Sequence, residues 1–182
     1  KFFRYSPLAM QLTHVMEGVW KISGAQEGPT VCVFGGTHGN ELTGIEVVKQ
    51  LLEDLTQHQL ILTRGTLYLI FANPRAMERN TRGSADHLDL NRRFTQDILD
   101  RPTDGTYEDA RAKTLAPILA ETDVSLDIHA TNKPSVPMLC GAITPAHMEL
   151  YQWFSCDKIL TDPHYILGGV SCTTDEFVDL HG

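Results

Sequence analysis

Two side chains that commonly bind metal ions, His38 and Glu41, stand three positions apart in this sequence. They follow an apolar run from Val31 to Phe34, which is typical of a strand buried on both faces. Apolar residues at three- and four-residue steps then predict a helix that runs from Asn40, as N-cap, to about Leu55. At a helix entrance, an imidazole and a carboxylate with this spacing can reach one cation. The stretch therefore predicts two ligands of a metal site.

The third ligand is predicted to be His129, which ends a second apolar run that begins at Val124. Strands of a parallel sheet finish at the same edge, so His129 is expected beside the first two ligands. A His-Glu-His set leaves zinc an open fourth position for water. Asp127 is expected to orient one of the ligands as a hydrogen-bonding carboxylate behind it. The prediction is one zinc ion per chain.

The same stretch has two other interpretations. A His after a strand and a Glu in the first turn of a helix also occur where a helix is simply capped and its macrodipole is complemented. The run from Gly35 to Gly39 could instead cradle a phosphate at a helix N-terminus. It lacks the Lys of a Walker loop and the GxGxxG spacing.

Arginine side chains are placed where they could serve such a site. Arg75 follows a strand predicted from Gly65 to Ala72, at the sheet edge proposed for the metal. Asn91 and Arg92 lie in a polar segment, Ala76 to Thr106, that we predict to be a long loop. Guanidinium groups there would bind carboxylates in a bidentate manner and polarise a carbonyl oxygen, although a solvated surface position is the alternative for each.

Strands and helices alternate along the chain. This order predicts an α/β fold with three α/β/α layers around a mixed, largely parallel central sheet. The remaining predicted elements are an edge strand or hairpin at Gln11–Ile22, a helix at Tyr107–Glu121 that Pro117 kinks or divides, a strand at Met138–Ile143, a helix at Ala146–Phe154 and a short strand at Lys158–Thr161.

Composition narrows the possible partners. The 182 residues are enough for one domain, and 15 basic against 23 acidic residues give a net charge of −8 with no basic run, which argues against nucleic acid. No apolar stretch approaches the ~20 residues of a membrane span and no signal peptide is evident, so we expect a cytoplasmic protein without membrane contact. The four cysteines are expected to be reduced thiols. The sequence leaves the oligomeric state open, a homo-oligomer included.

Four motifs taken together resemble one known family. They are Gly35–Gly44 (GGTHGNELTG), Asn73–Ala76 (NPRA), Asp89–Arg92 (DLNR) and Asp127–His129 (DIH). Their order and rough spacing, from about residue 30 to 130, resemble the aspartoacylase / succinylglutamate desuccinylase family, with the first two strings closer to aspartoacylase. The resemblance implies a zinc-carboxypeptidase-like fold and zinc-dependent hydrolysis of the amide bond of a small N-acyl amino acid.

The resemblance also implies roles for individual residues. His38, Glu41 and His129 would hold zinc, Arg75 would polarise the amide carbonyl, and Asn91 with Arg92 would grip a substrate carboxylate. The acyl group and the amino acid are not identified by these motifs.

The family's general base is a Glu on a later strand, which we expect beyond Gly182. Glu176 stands too early and lacks the Gly that should follow it. Residues 1–182 are therefore expected to be the front portion of a catalytic zinc-hydrolase domain, without the family's C-terminal domain. A zinc carboxypeptidase acting on peptides and a non-catalytic metal-binding protein are the rival hypotheses.

Overall fold

The structure is a computed structural model that describes residues 10–102, 105–162 and 172–181. Five strands form its main sheet: β1 (Gln11–Met16), β2 (Val19–Ser23), β3 (Gln26–Gly35), β4 (Arg64–Phe71) and β5 (Val124–Ile128). Their order across the sheet is β1-β2-β4-β3-β5. Strands β4, β3 and β5 are mutually parallel, whereas β1 and β2 form an antiparallel hairpin that joins β4. The predicted mixed sheet with a parallel core is confirmed.

Helices connect these strands. They are α1 (Leu42–Thr56), α2 (Pro74–Arg79), α3 (Gln96–Leu99), α4 (Tyr107–Leu119), α5 (Pro145–Tyr151) and α6 (Thr174–His181), with a short 3-10 helix at Leu90–Arg92. Among the described helices, none combines the length and apolar composition that a bilayer crossing requires.

The two faces of the main sheet carry separate apolar layers, because successive side chains of a strand point to opposite faces. On one face, Val33 and Leu69 pack with Val48 and Leu55 of α1. On the other face, Phe34 and Ile70 belong to a cluster completed by α4 and α6, through Ala112, Leu115, Ile118, Leu119, Phe177 and Val178. The predicted three-layer α/β/α architecture is therefore confirmed.

Several local predictions need correction. The segment Ala76–Thr106 is not one long loop, because α2, the 3-10 helix and α3 interrupt it. Asn73 caps α2 by accepting a hydrogen bond from the Ala76 amide at 3.1 Å, and Pro74 occupies the first turn, where its missing N–H costs nothing. Pro117 does not divide the predicted helix into two pieces, because α4 is one element to Leu119 and the proline falls in its last turn.

The two strands predicted near the end of the chain are shorter than expected. Only Leu139–Cys140 (β6) and Ile159–Leu160 (β7) pair, and they form a separate two-stranded parallel sheet rather than extending the main one.

The register of the parallel strands fixes where the chemistry lies. Gly35 at the end of β3 is paired with Phe71 of β4 on one side and Ile128 of β5 on the other. The segments that leave these three strands therefore emerge together at one edge of the sheet, which is where ligand sites of open α/β sheets form.

Candidate metal centre

Close backbone contacts hold α1 against the ends of the strands. A Cβ atom at Gly35 would overlap the carbonyl oxygen of Gly44, and one at Gly44 would overlap the carbonyl oxygen of Ile128. Only glycine fits at both positions, because neither backbone can retreat. The first turn of α1 therefore rests on the main chain at the ends of β3 and β5.

Helix α1 begins after Glu41, so the predicted N-cap at Asn40 is wrong. Glu41 occupies the cap position, but its side chain makes no capping hydrogen bond. The carboxylate is instead turned toward the end of β5, where its Oε2 accepts a hydrogen bond from the Ala130 amide at 2.8 Å. The Glu41 side chain therefore faces the end of β5 rather than the amides at the start of the helix.

Three side chains converge at this edge. The Nδ1 atom of His38 lies 2.8 Å from Oε1 of Glu41, and Nδ1 of His129 lies 2.9 Å from Oε2 of the same carboxylate. The two Nδ1 atoms are 3.1 Å apart. Donor atoms of a tetrahedral zinc site with bonds of about 2.1 Å are separated by about 3.4 Å. An outward shift of a few tenths of an ångström would therefore let His38, Glu41 and His129 hold a metal ion.

The outer nitrogen of each imidazole faces another carboxylate. His38 Nε2 lies 2.9 Å from Oδ1 of Asp89, and His129 Nε2 lies 3.2 Å from Oδ2 of Asp127. An ionised carboxylate only accepts hydrogen bonds, so each Nε2 carries a proton, and whenever the imidazole is neutral its Nδ1 directs a lone pair inward. Two lone pairs and a carboxylate aimed at one point repel each other unless a positive charge lies between them. The donor set thus fits a divalent cation.

The pKa values of these groups reflect the same crowding. Burial by itself lowers the pKa of His129, but hydrogen bonds to Asp127 and Glu41 outweigh burial and raise this pKa to about 10. The pKa of His38 is also raised, because its bonds to Asp89 and Glu41 overcome burial. Burial raises the pKa of Glu41, yet the bonds from both imidazoles and from the Ala130 amide hold it well below its usual range. The raised pKa of His129 favours its protonated form, so a proton on this imidazole can supply the positive charge when no cation is bound.

Zinc affinity is expected to increase with pH. A pKa of about 10 means that His129 is protonated at neutral pH, so zinc must displace its proton, and this competition weakens as pH rises. One displaced proton per zinc ion tightens the apparent Kd about tenfold for each pH unit between about pH 6 and 8. Competition with a chromophoric chelator at several pH values measures the slope, and an affinity that does not change with pH would contradict the proton exchange.

Asp127 is itself held in place by two threonine hydroxyl groups. The Thr37 hydroxyl donates to the carboxylate at 2.9 Å, and the Thr174 hydroxyl, at the start of α6, donates to it at 2.8 Å. The sequence predicted Asp127 as the partner of a ligand, but it gave no sign of either threonine. In the sequence, Asp89 is distinguished only as part of the DLNR motif, and its position behind His38 is a finding of the structure.

The residues predicted to contact substrate lie in different surroundings. Arg75 is exposed, with its guanidinium carbon 4.2 Å from the centroid of the Tyr107 ring. Asn91 is buried and accepts a hydrogen bond from the Thr174 amide at 3.0 Å, while the Arg92 guanidinium donates to the Asn91 carbonyl oxygen at 2.6 Å. Within the described residues, none of these three side chains has a hydrogen bond or ion pair with the His-Glu-His cluster.

A different arginine lies beside the cluster. Arg82 places Nη2 2.8 Å from Oδ2 of Asp89 and Nη1 3.6 Å from Oε1 of Glu41. About half of its side chain is exposed, and it lines an open cleft of about 550 Å³ together with Asp89. Arg82 belongs to the polar segment that we predicted to be a loop, where neither spacing nor neighbours distinguish it from a surface arginine.

Glu176 caps a helix. Its Oε2 accepts hydrogen bonds from the amides of Cys172 and Thr173, at 2.8 and 3.1 Å. These bonds give partners to two backbone N–H groups at the start of α6. Glu176 therefore has a structural role, in agreement with the expectation that the general base lies elsewhere.

The fold and the cluster define an α/β/α protein with a candidate mononuclear metal centre at the carboxyl edge of its parallel strands. The family model of the succinylglutamate desuccinylase/aspartoacylase catalytic domain matches residues 27–157, which is most of the chain. The chain belongs to this family.

Individual relatives agree with this assignment. A probable aspartoacylase from Nostoc sp. is 37% identical over 133 residues, covering 69% of this chain and 43% of that protein. A succinylglutamate desuccinylase from Photorhabdus laumondii is 30% identical over 188 residues, covering 87% of this chain and 56% of that protein. The chain thus spans about half the length of these relatives.

A solved structure shows the same fold. The X-ray structure of a succinylglutamate desuccinylase from Vibrio parahaemolyticus superimposes with a TM-score of 0.74 at 19% sequence identity, covering 97% of this chain and 62% of that one.

Proposed function

We propose that this chain provides the metal centre of a zinc-dependent hydrolase that cleaves the amide bond of an N-acyl amino acid, releasing a carboxylate and a free amino acid. The observation that carries the proposal is the convergence of His38 Nδ1, Glu41 and His129 Nδ1, each imidazole backed by its own carboxylate. The relatives named aspartoacylase and succinylglutamate desuccinylase support the choice of substrate class. We further propose that the protein is cytoplasmic, that its substrates are small molecules and that each chain binds one zinc ion.

Each residue of the cluster has a distinct task in this scheme. Zinc held by the three inner atoms would supply Lewis acidity and lower the pKa of water to about 7. Asp89 and Asp127 keep the Nε2 protons of the two imidazoles, so that both Nδ1 atoms remain available as ligands. The carboxylate of Glu41 stays ionised because two imidazoles and the Ala130 amide face its oxygens.

Arg82 is our candidate for stabilising the oxyanion of the tetrahedral intermediate. Its Nη1 lies 3.6 Å from Oε1 of the ligand carboxylate of Glu41, so a substrate carbonyl bound at the metal centre would lie close to this guanidinium. The sequence assigned this role to Arg75, whose guanidinium is stacked on Tyr107. Asn91 and Arg92 remain proposed carboxylate-binding residues, and a glutamate general base remains the expectation from family resemblance.

A substrate panel tests the proposal. The native protein that contains this chain, loaded with zinc, is expected to hydrolyse acetylated or succinylated amino acids and to leave C-terminal residues of peptides intact. The test measures amino acid release from N-acetyl-aspartate, N-succinyl-glutamate, N-acetyl aromatic amino acids and unblocked peptides. Hydrolysis of the peptides alone would favour a carboxypeptidase, and zinc binding with no turnover would favour a non-catalytic role.

A further inference from the structure

The side chain of Glu108, in the first turn of α4, is completely buried and makes three hydrogen bonds. Its Oε1 accepts from the Asn73 side-chain amide at 3.1 Å and from the Ser84 backbone amide at 2.6 Å. Its Oε2 accepts from the Ser84 hydroxyl at 2.9 Å. No Lys, Arg or His among the described residues forms an ion pair with it. A carboxyl group in such a place is costly unless hydrogen bonds satisfy it, so these three bonds define its structural role.

Two of the three bonds reach into residues 80–89, which we call the site loop. Most residues of the loop are exposed, Leu88 and Asp89 are partly buried, and Gly83 and Ser84 are buried. A Cβ atom at Gly83 would overlap the Leu88 carbonyl oxygen, so the loop folds back on itself there. The Ser84 carbonyl oxygen accepts a hydrogen bond from Arg79 of α2. Ser84 is therefore held by its amide, its hydroxyl and its carbonyl oxygen.

The site loop carries two groups that contact the metal cluster. Asp89, at its end, holds the outer nitrogen of His38, and Arg82 lies two positions before Ser84 and bridges Asp89 and Glu41. Asp89 is also tied to the 3-10 helix that follows, because its Oδ1 accepts a hydrogen bond from the Asn91 amide at 2.9 Å. The rest of the loop, which carries Arg82 and leads to Asp89, has no strand or helix of its own, and its buried attachment at Ser84 joins it to α2 and α4.

We propose that Glu108 is a positioning residue for the metal centre. By holding Ser84, it fixes the site loop so that Asp89 stays behind His38 and Arg82 stays beside Glu41. Glu108 touches neither the cluster nor the cleft, and acts through the loop. The proposal rests on the metal-binding role proposed above and extends it to a residue in the first turn of α4.

The test compares zinc affinity among folded variants of the chain. Glu108→Ala is expected to weaken zinc binding by up to about 10–100-fold, the effect of losing the partner of a metal ligand, because it releases Asp89 and Arg82 indirectly, through the loop. Glu108→Gln preserves an acceptor for Asn73 and the Ser84 amide and should recover most of the affinity. Ser84→Ala removes one of the three bonds and should weaken binding less than Glu108→Ala does. Cobalt(II), used as a spectroscopic probe, should give an altered visible absorption spectrum in Glu108→Ala.

Thr122→Val is the matched control. Thr122 is equally buried and hydrogen-bonded, to the Ile118 carbonyl oxygen and to Cys32, but it lies away from the site loop. This variant should lose thermal stability and keep its zinc affinity. Wild-type affinity in folded Glu108→Ala, or an equal loss in Thr122→Val, would overturn the positioning role. If Glu108→Ala does not fold, unchanged affinity in Ser84→Ala overturns it. A wild-type chain that binds no zinc would instead overturn the proposed function.

Discussion

Replacing either imidazole of the cluster, in His38→Ala or His129→Ala, is expected to remove most of the bound zinc. Loss of a hydrogen-bonding partner behind a ligand typically weakens metal affinity about 10–100-fold, and loss of the ligand itself should exceed that range, beyond about 10²-fold. Two ligands would remain, which is too few to retain zinc against a competing chelator. Metal content after purification and competition titrations on the chain measure the effect.

His147→Ala provides the control for this experiment. His147 also faces a carboxylate, with its Nε2 3.1 Å from Oδ1 of Asp179, but it connects α5 with α6 and no other described imidazole is bonded to it. Its replacement should leave zinc binding unchanged. Full zinc occupancy in both His38→Ala and His129→Ala would rule out the proposed ligand set.

Arg82→Ala is expected to slow hydrolysis about 10²–10³-fold while zinc stays bound, because removal of one oxyanion-stabilising donor has an effect of this size. Arg82 contributes no ligand atom in this scheme, and its side chain is about half exposed. The effect should therefore fall mainly on kcat. Steady-state kinetics of the native protein, with the best N-acyl amino acid from the panel, measure it alongside the zinc content.

Arg75→Ala is the matched variant, since it removes the same group from a position stacked on Tyr107. We expect its activity to stay within a few-fold of wild type. The opposite pattern, with Arg75→Ala inactive and Arg82→Ala active, would restore the role that the sequence suggested for Arg75 and refute the one proposed for Arg82.

The sequence contained enough information to predict the framework of the site. The apolar runs within β3 and β4 are unbroken, and such strands have few alternatives. In β5, apolar residues alternate with Ser125 and Asp127, which also indicates a strand. Parallel strands finish at one edge, so residues nearly ninety positions apart, such as Glu41 and His129, could be expected to meet. That expectation required only the strand ends and not the course of the intervening chain.

The loop side of the site could not be predicted in this way. Arg82 and Asp89 reach the cluster through the path of the site loop, and that path depends on bonds between Ser84 and residues in two different helices. Such contacts leave no periodic pattern in the sequence. Helix α2, in contrast, could have been predicted, because Asn73 followed by Pro74 is a recognisable signal for the start of a helix. The N-cap error at α1 arose because Asn40 has a good capping side chain while Glu41 is committed to the imidazoles.

The glycine contact between α1 and the strand ends has a consequence for how such a protein can change. Gly35 and Gly44 bring main chain against main chain, and no side chain from either apolar layer lies between them. The distance between Glu41 and His129 therefore does not depend on the volume of the core side chains. Core residues can be replaced by larger or smaller ones over many substitutions while the distance between these two ligands stays constant.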